Sequence, residues 1–514
     1  MNQLTRTAHS RLRAFLRDTR TRACTAATAL FGALSYFYLF ANNLNNNDTI
    51  SCLPQGFGTG ISSGRWLLHL LGKLTEKLWG VYNVPLFNGL LALLLLALTS
   101  AVLVRALDIR SRALSFALAA VTASAAPIAS LMLFQFTAHY YALALLLIAS
   151  AACLMRSRKP LALLGASLLG ACSLGIYQAY FPFFAVLLLL MILGSCLRRE
   201  TQPKALIFFA LRCLGVLAAS YLLYWLILHG LLALLGARLS DYQGMSAMGS
   251  LSLRGIPRAY AQFFRLTTTR MYGFNETGFV RVMILLLMLS GVGLLALSWR
   301  DRPAKLLIGL AALALMPLAA NAFLVLAPDS TIYTRMCMGL TVVFYLPLLI
   351  ADRLPLRFRR VRKCAVLGIA ALLLLTCVNY AWQSNGNYQF EYYANRKAEN
   401  YFSAMLARIR SAEGYRDEME IVLVGDTITD AAFQDNWLTA PFHYSSVVGA
   451  QSQLNQYSRP AFFANYFGFS ARQITQEELT AYSDLLKTMP CYPDSGSIRT
   501  ADGRVFVMLE QPER

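Results

Sequence analysis

Eleven apolar runs, each about as long as a membrane-crossing helix, follow one another in this chain: 23–41, 86–104, 114–133, 138–155, 161–179, 181–197, 205–235, 278–299, 304–326, 334–351 and 364–382. A hydrocarbon layer of roughly 30 Å is crossed by about 20 residues of helix. A backbone inside it must satisfy its own hydrogen bonds, so a succession of such runs can fold only as a helical bundle. We therefore read the chain as mainly α, a polytopic membrane helical bundle of about 11 spans. Of its 514 residues 57% are hydrophobic and 14% charged, where a soluble domain carries roughly 25% charge.

The charged residues order the topology. The formal charge of +20 belongs to the part before Gln383, because residues 383–514 hold 11 basic and 16 acidic residues. A basic membrane part followed by a mildly acidic tail explains the charge without nucleic acid. With the N-terminus inside, the segments 1–22, 105–112, 156–160, 198–204, 300–305 and 352–363 hold 24 Lys and Arg against 5 acids, the bias of cytoplasmic loops. An odd number of spans then puts the tail outside. The first run lacks a small-residue cleavage site and precedes ten more spans, so it reads as a retained helix. The expected division is 1–382 as a transmembrane domain and 383–514 as a small extracytoplasmic α/β domain. Outer segments 42–85 and 236–277 are long enough to carry chemistry, and every inner loop is short.

Loop 42–85 opens on Asn42, Asn43, Asn45, Asn46, Asn47 and Asp48, and carries glycines at 56, 58 and 60. From Gly64 the pattern changes. Trp66, Leu67, Leu70, Leu71, Leu74 and Leu78 recur at helical spacing opposite Arg65, His69, Lys73, Glu76 and Lys77. Such a helix, expected over 64–79 with Ser62 or Ser63 as its cap, is too charged to cross a bilayer and should lie along its outer surface. Asp48 is the one acid ahead of it. A carboxylate there can act as general base toward a hydroxyl at the water–lipid boundary, or it can simply cap a turn. Other polar residues map to the same outer end: His139 and Tyr140, Tyr177 and Gln178, Asp329, and Arg335 just inside the tenth span. An arginine at that depth needs a partner, for which a phosphate and Asp329 both qualify. Arg212, near the inner end of its span, is placed to snorkel.

Eight of the ten cysteines fall in or beside apolar runs; Cys52 and Cys491 lie outside, either as free thiols or as a bridge from the first loop to the tail. No Cys and His cluster has metal-ligand spacing. In the tail, Glu420–Gly425 reads as a buried strand, and Asp502-Gly503, between Ser497–Thr500 and Arg504–Leu509, is a hairpin signal. Its aromatic residues can contact glycan or pack a core.

The stretch Gly56-Phe57-Gly58-Thr59-Gly60-Ile61-Ser62-Ser63-Gly64-Arg65-Trp66, behind an Asn-rich loop with an acid, resembles the bacterial O-antigen glucosyltransferase family typified by serotype-converting enzymes. Ser173-Leu174-Gly175-Ile176-Tyr177-Gln178-Ala179-Tyr180 looks like a second motif of that family, and the ending Tyr492-Pro493-Asp494-Ser495-Gly496-Ser497-Ile498 matches more loosely. The family is similar in architecture to the GT-C membrane glycosyltransferases. The resemblance implies a polyprenyl-phosphate-linked sugar donor such as undecaprenyl phosphate glucose, a glycan or lipid-linked glycan acceptor on the outer face of the bacterial cytoplasmic membrane, and one inverting displacement with Asp48 as base. Some relatives carry two adjacent acids where this chain has Asn47-Asp48; a second acid is then either absent or supplied by Asp329.

The residue chemistry suits that reaction. A phosphate leaving group calls for cations, and Arg65, Arg335, Arg258, Arg265 and Arg270 are available. Sugar recognition draws on aromatic faces and amides, which Tyr177, Gln178, His139 and Trp66 can supply. Each has a plainer role open to it: Trp66 as interfacial anchor, the loop arginines as contacts for anionic membrane lipid, Tyr177 and Gln178 as ordinary span ends. No cofactor is required, although Asp48 with Asp329 can hold a divalent metal ion. No glycine-rich phosphate loop follows a strand, which agrees with a donor that is not a nucleotide sugar. The competing classes are a flippase or transporter of lipid-linked sugars, for which an inverted repeat of spans is not evident, and a GT-C transferase of another sugar or acceptor.

Overall fold

The computed structural model describes residues 10, 12–51, 60–80, 84–198, 201–240, 252–265, 278–299, 303–328, 330–355, 358–426 and 458–512. The described chain is mostly helical. Its principal helices are α1 (Thr19–Ala41), α2 (Asn47–Ser51), α3 (Trp66–Trp79), α4 (Pro85–Ala106), α5 (Arg112–Ser124), α6 (Ala126–Met132), α7 (Ala138–Leu154), α8 (Pro160–Ile176), α9 (Phe181–Cys196), α10 (Pro203–Leu234), α11 (Gly255–Arg265), α12 (Gly278–Trp299), α13 (Pro303–Ala320), α14 (Val342–Arg353) and α15 (Arg359–Arg410). Proline opens α4, α8, α10 and α13, where its missing N–H costs nothing.

Among the described residues seven helices are long and apolar enough to cross a membrane, or eight if α5 and α6 count as one span bent by 45°. The bend falls at Ala125, with Pro127 in the next turn. Three shorter apolar helices, Ala138–Leu154, Pro160–Ile176 and Lys305–Ala320, stand where the remaining predicted spans lie. The expected count of eleven is thereby reduced to seven or eight full-length candidates. The shortening of α8 has a local cause: the chain turns extended at Tyr177 (φ −153°, ψ 104°).

One large core unites the bundle. Helix α1 packs on α4, α5 and α15, α4 on α7, α8 on α7 and α10, and α9 on α13. Small residues make the close approaches. Ala117, Ala119, Ala120 and Ala123 of α5 are fully buried, and Tyr36 of α1 crosses to donate to the Ala123 carbonyl at 2.6 Å. At the end of the bundle that carries the basic loops, Asp108 (φ +53°) accepts from Arg198 at 2.8 Å and Arg353 at 3.0 Å. Asp352 caps the start of α5 by accepting from the Arg110 and Ser111 amides at 3.0 and 2.9 Å.

The C-terminal part is built on a four-stranded mixed sheet, β2-β1-β4-β3, from β1 (Glu420–Val424), β2 (Ala471–Gln473), β3 (Ile498–Ala501) and β4 (Arg504–Met508). Strand β1 runs parallel to β2 and β4; β3 and β4 form the hairpin signalled by Asp502-Gly503, both residues at positive φ as a tight two-residue turn demands. Side chains alternate across the sheet. Ile421, Leu423, Val505 and Val507 face one core; Val422, Val424, Phe506 and Met508 face another with Leu486 and Met489. On the open edge Arg472 donates to both Glu420 and Glu478 and holds the Glu478 carboxyl down at about 2.

The 52-residue helix α15 belongs to both parts. Tyr380 and Tyr388 lie in the bundle core, where the Tyr388 hydroxyl donates to the Ala129 carbonyl at 2.9 Å. Ala394, Ala398, Phe402, Met405 and Ile409 lie in the core under the sheet. Between them Gln383, Ser384, Asn387, Glu391 and Asn395 form a buried polar stripe at helical spacing.

Candidate functional site

The segment Gly60–Trp66 and the segment Gly175–Tyr180 build one wall together. Residues Ile61–Ser63 make a single 3-10 turn that ends on Gly64 at φ +76°, a left-handed position that a side chain would strain. Gln178 holds that turn, its amide donating to the Ser63 carbonyl at 2.9 Å and to the Tyr224 hydroxyl at 3.1 Å. Tyr224 in turn donates to the Gly64 carbonyl at 3.2 Å. Trp66, at the start of α3, is 6% exposed and lies flat against Gly175, where a Cβ would come within 3 Å of three indole atoms. Gly175→Ala should therefore cost about 1–3 kcal/mol by overpacking. Thermal unfolding of the purified protein checks it, and an unchanged midpoint would mean the indole is not wedged there.

This interlock fixes Arg65. Its guanidinium donates to the Tyr141 hydroxyl at 3.3 Å and stands 5.3 Å from the centre of the Tyr177 ring. Tyr141 and Tyr177 stack at 4.5 Å, and Tyr180 meets Tyr177 edge-on at 5.1 Å. From the opposite side comes Arg335, carried by the 3-10 stretch Thr334–Thr341 that leads into α14. Its guanidinium lies over the rings of Phe134 at 4.2 Å and Tyr333 at 4.4 Å and faces the Tyr177 hydroxyl. Aromatic faces thus hold two cations beside one phenol without neutralising them.

Arg65, Tyr177, Gln178 and Arg335 line one cavity of about 100 Å³, together with Ser63, Tyr221, Tyr224, Ser330 and Tyr333. It shares Phe181, Ala322 and Leu326 with an apolar groove of about 570 Å³ between α9, α10 and α13. Leu188 and Ile192 of α9, Leu214 and Leu217 of α10 and Leu315 of α13 line that groove, and the polar surface within it is negligible. Helix α8 begins at the basic-loop end and finishes at the cavity, so cavity and basic loops occupy opposite ends of the bundle.

Asp48 does not line this cavity. It sits in the first turn of α2 with its side chain half-buried. Asn46, and not Asp48, caps that helix: its carbonyl oxygen accepts from the Thr49 amide at 2.9 Å and the Thr49 hydroxyl at 2.7 Å. No described residue hydrogen-bonds or ion-pairs with the Asp48 carboxylate, so the capping role is already filled by a neighbour. The loop is pinned on both sides. Gln135 donates to the Leu44 carbonyl at 2.6 Å and Thr49 to the Leu133 carbonyl at 3.2 Å, while Asn45 reaches the Tyr466 hydroxyl at 3.4 Å and Ile50 is buried in the core under the sheet. The connection Leu133–Gln135 thus carries Thr49 through Leu133 and Arg335 on the ring of Phe134. The residue after the acid and the arginine thus contact adjacent residues of one connection.

The other sequence candidates are distributed elsewhere. His139 meets Tyr140 at 4.0 Å with the rings tilted by 42°, outside the cavity lining, and the Tyr140 hydroxyl is bonded to Thr75 of α3 at 2.7 Å. Trp66 is likewise behind the wall. Arg258 and Arg265 are exposed on α11, which is fastened to α13 by Tyr260 and by Asn321, and neither lines the cavity. Arg270, Asp329 and Cys52 lie outside the described residues. Among the described residues no group of three or more His, Cys, Asp and Glu can hold a metal ion. Sequence reasoning passed over Tyr141, Tyr221, Tyr224 and Tyr333, and also Glu391, wholly buried on α15 and close enough to raise the Tyr466 phenol, which burial already pushes up. The signal for Glu391 was the polar stripe of α15.

A family model described as Glucosyl transferase GtrII matches residues 37–351. That stretch contains Asp48, both interlocking segments and both arginines. No curated protein and no solved structure matches the chain.

Proposed function

The chain belongs to the glucosyl transferase GtrII family, and from that premise of a membrane glucosyltransferase we propose that it takes glucose from a polyprenyl phosphate carrier and places it, with inversion, on a cell-surface glycan acceptor. The carrier chain lies in the apolar groove between α9, α10 and α13, and its phosphate stands between Arg65 and Arg335. The acceptor enters from the side of the sheet domain. Asp48 takes the proton of the acceptor hydroxyl as its oxygen attacks the anomeric carbon; the bond from that carbon to the phosphate oxygen breaks, and the carrier phosphate leaves against the two guanidinium groups. The reaction faces the outside of a bacterial cytoplasmic membrane, as the basic loops at the opposite end favour. Residues 1–382 form the membrane domain and 383–514 the part outside, with α15 continuous between them.

The single observation that carries this reading is that a two-arginine cavity and an apolar groove adjoin, sharing Phe181, Ala322 and Leu326. A nucleotide sugar has no use for such a groove, whereas a lipid phosphate needs both halves. The test uses purified protein in nanodiscs with three donors: a long-chain prenyl phosphate glucose, a short water-soluble analogue with the same headgroup, and a nucleotide-linked glucose. The long-chain donor should turn over, the analogue should require a much higher concentration, and the nucleotide sugar should be inert. Turnover with the nucleotide sugar alone would refute the carrier assignment.

A further inference from the structure

At the end of the bundle away from the active cavity lies a second cavity, of about 620 Å³, that the glucosyl transfer does not use. It opens between the connection of α7 to α8, the end of α9, the first turns of α10 and the end of α14. Five arginines line it: Arg156, Arg158, Arg198, Arg212 and Arg353. The acid that meets them is Asp108, which accepts from Arg198 and Arg353 and stands 3.9 Å from Arg156. Arg212 spends one N–H on the Ser157 carbonyl. The Nε groups of Arg198, Arg212 and Arg353 are buried with no hydrogen-bond partner among the described residues. Among the described residues Asp108 is the acid that pairs with these arginines, and it also meets Arg110 at 3.8 Å, so the lining keeps an excess of positive charge.

So many cations around a cavity repel one another, and buried N–H donors without acceptors cost free energy. A ligand with several anionic oxygens relieves both at once. The walls decide what else it carries. Met191, Leu163, Leu206 and Phe209 are apolar, and the flank of α10 beside the mouth presents Ile207, Phe208 and Leu211, each more than half exposed, as a surface for acyl chains. A free anion would leave these walls bare, whereas a phosphate attached to acyl chains covers them. We infer that this cavity is a binding site for the phosphate headgroup of an anionic glycerophospholipid, seated in the leaflet opposite the active cavity and clamping the ends of α9, α10 and α14 together. Basic pockets between membrane helices on the cytoplasmic side recognise such headgroups generally. The arginine fork suits a phosphodiester better than a lysine would.

Thermal unfolding of the full-length purified protein in detergent tests this. Added phosphatidylglycerol should raise the midpoint, and equal amounts of phosphatidylcholine, or inorganic phosphate at matched concentration, should not. Native mass spectrometry should show one phosphatidylglycerol retained. Arg158 is exposed and bonded to no described residue, so Arg158→Ser should leave the lipid-free midpoint in place while weakening retention about fivefold, the loss expected for one basic residue near an anionic lipid. Arg158→Glu should weaken it further, and Arg212→Gln should do the same if it folds. A rise of the same size with phosphatidylcholine, or full reproduction of the effect by inorganic phosphate, would overturn the lipid assignment. Unaltered retention by Arg158→Glu would overturn the site.

Discussion

Asp48→Asn should lower glucosyl transfer by about 10²- to 10⁴-fold, the range a general base contributes, with protein yield and donor binding kept. The amide is isosteric with the acid and cannot accept the acceptor proton at neutral pH. Because Asn46 already caps α2 and Thr49 ties it to Leu133, the substitution takes no described hydrogen bond away. A fall in rate is then chemical and not structural. Transfer assays with labelled donor decide it, alongside a donor-binding measurement on the same preparation. A rate within a few-fold of the unaltered protein would remove Asp48 from the reaction. Attention would then pass to Glu391, the buried acid on α15.

The second large effect belongs to the arginine pair. Arg335→Ala should reduce turnover by about 10²- to 10³-fold, as loss of a donor aimed at developing charge does elsewhere. Arg335→Lys should restore part of it, since an ammonium keeps the charge and loses the planar fork and the contact with the Phe134 and Tyr333 rings. Arg65→Ala should behave alike, and the double replacement should fall short of the product of the two, because both act on one leaving group. The split between kcat and KM is the informative readout. A change confined to KM would mean that Arg335 anchors the donor equally before and during reaction, and would exclude it from stabilising the departing phosphate.

Much of this arrangement was legible in the chain. The apolar runs, the hairpin at Asp502-Gly503 and the two glycine- and tyrosine-bearing segments are local patterns, and local patterns survive folding. Their partnership was not legible. That Trp66 lies on Gly175, or that Gln178 spends its amide on the Ser63 carbonyl, depends on two helices meeting, about which spacing along the chain is silent. The tyrosines of the cavity were hidden for another reason: Tyr221 and Tyr224 fall inside an apolar run and Tyr333 at the edge of one, so none of them carried a signal until they faced one space. The continuity of α15 was obscured by composition, because a polar stretch after an apolar run reads as the end of a helix. The stripe Gln383, Ser384, Asn387, Glu391 and Asn395 has helical periodicity and would have argued for continuation.

That continuity has a mechanical meaning. A helix of 52 residues extends up to about 78 Å at 1.5 Å per residue, and each residue turns it by about 100°. With one half gripped by the bundle and the other by the sheet, α15 works as a rigid mast: it sets both the height and the compass bearing of the sheet domain relative to the bundle. The sheet domain is thereby held at one azimuth, and lengthening the mast by a single residue would swing it a quarter-turn away.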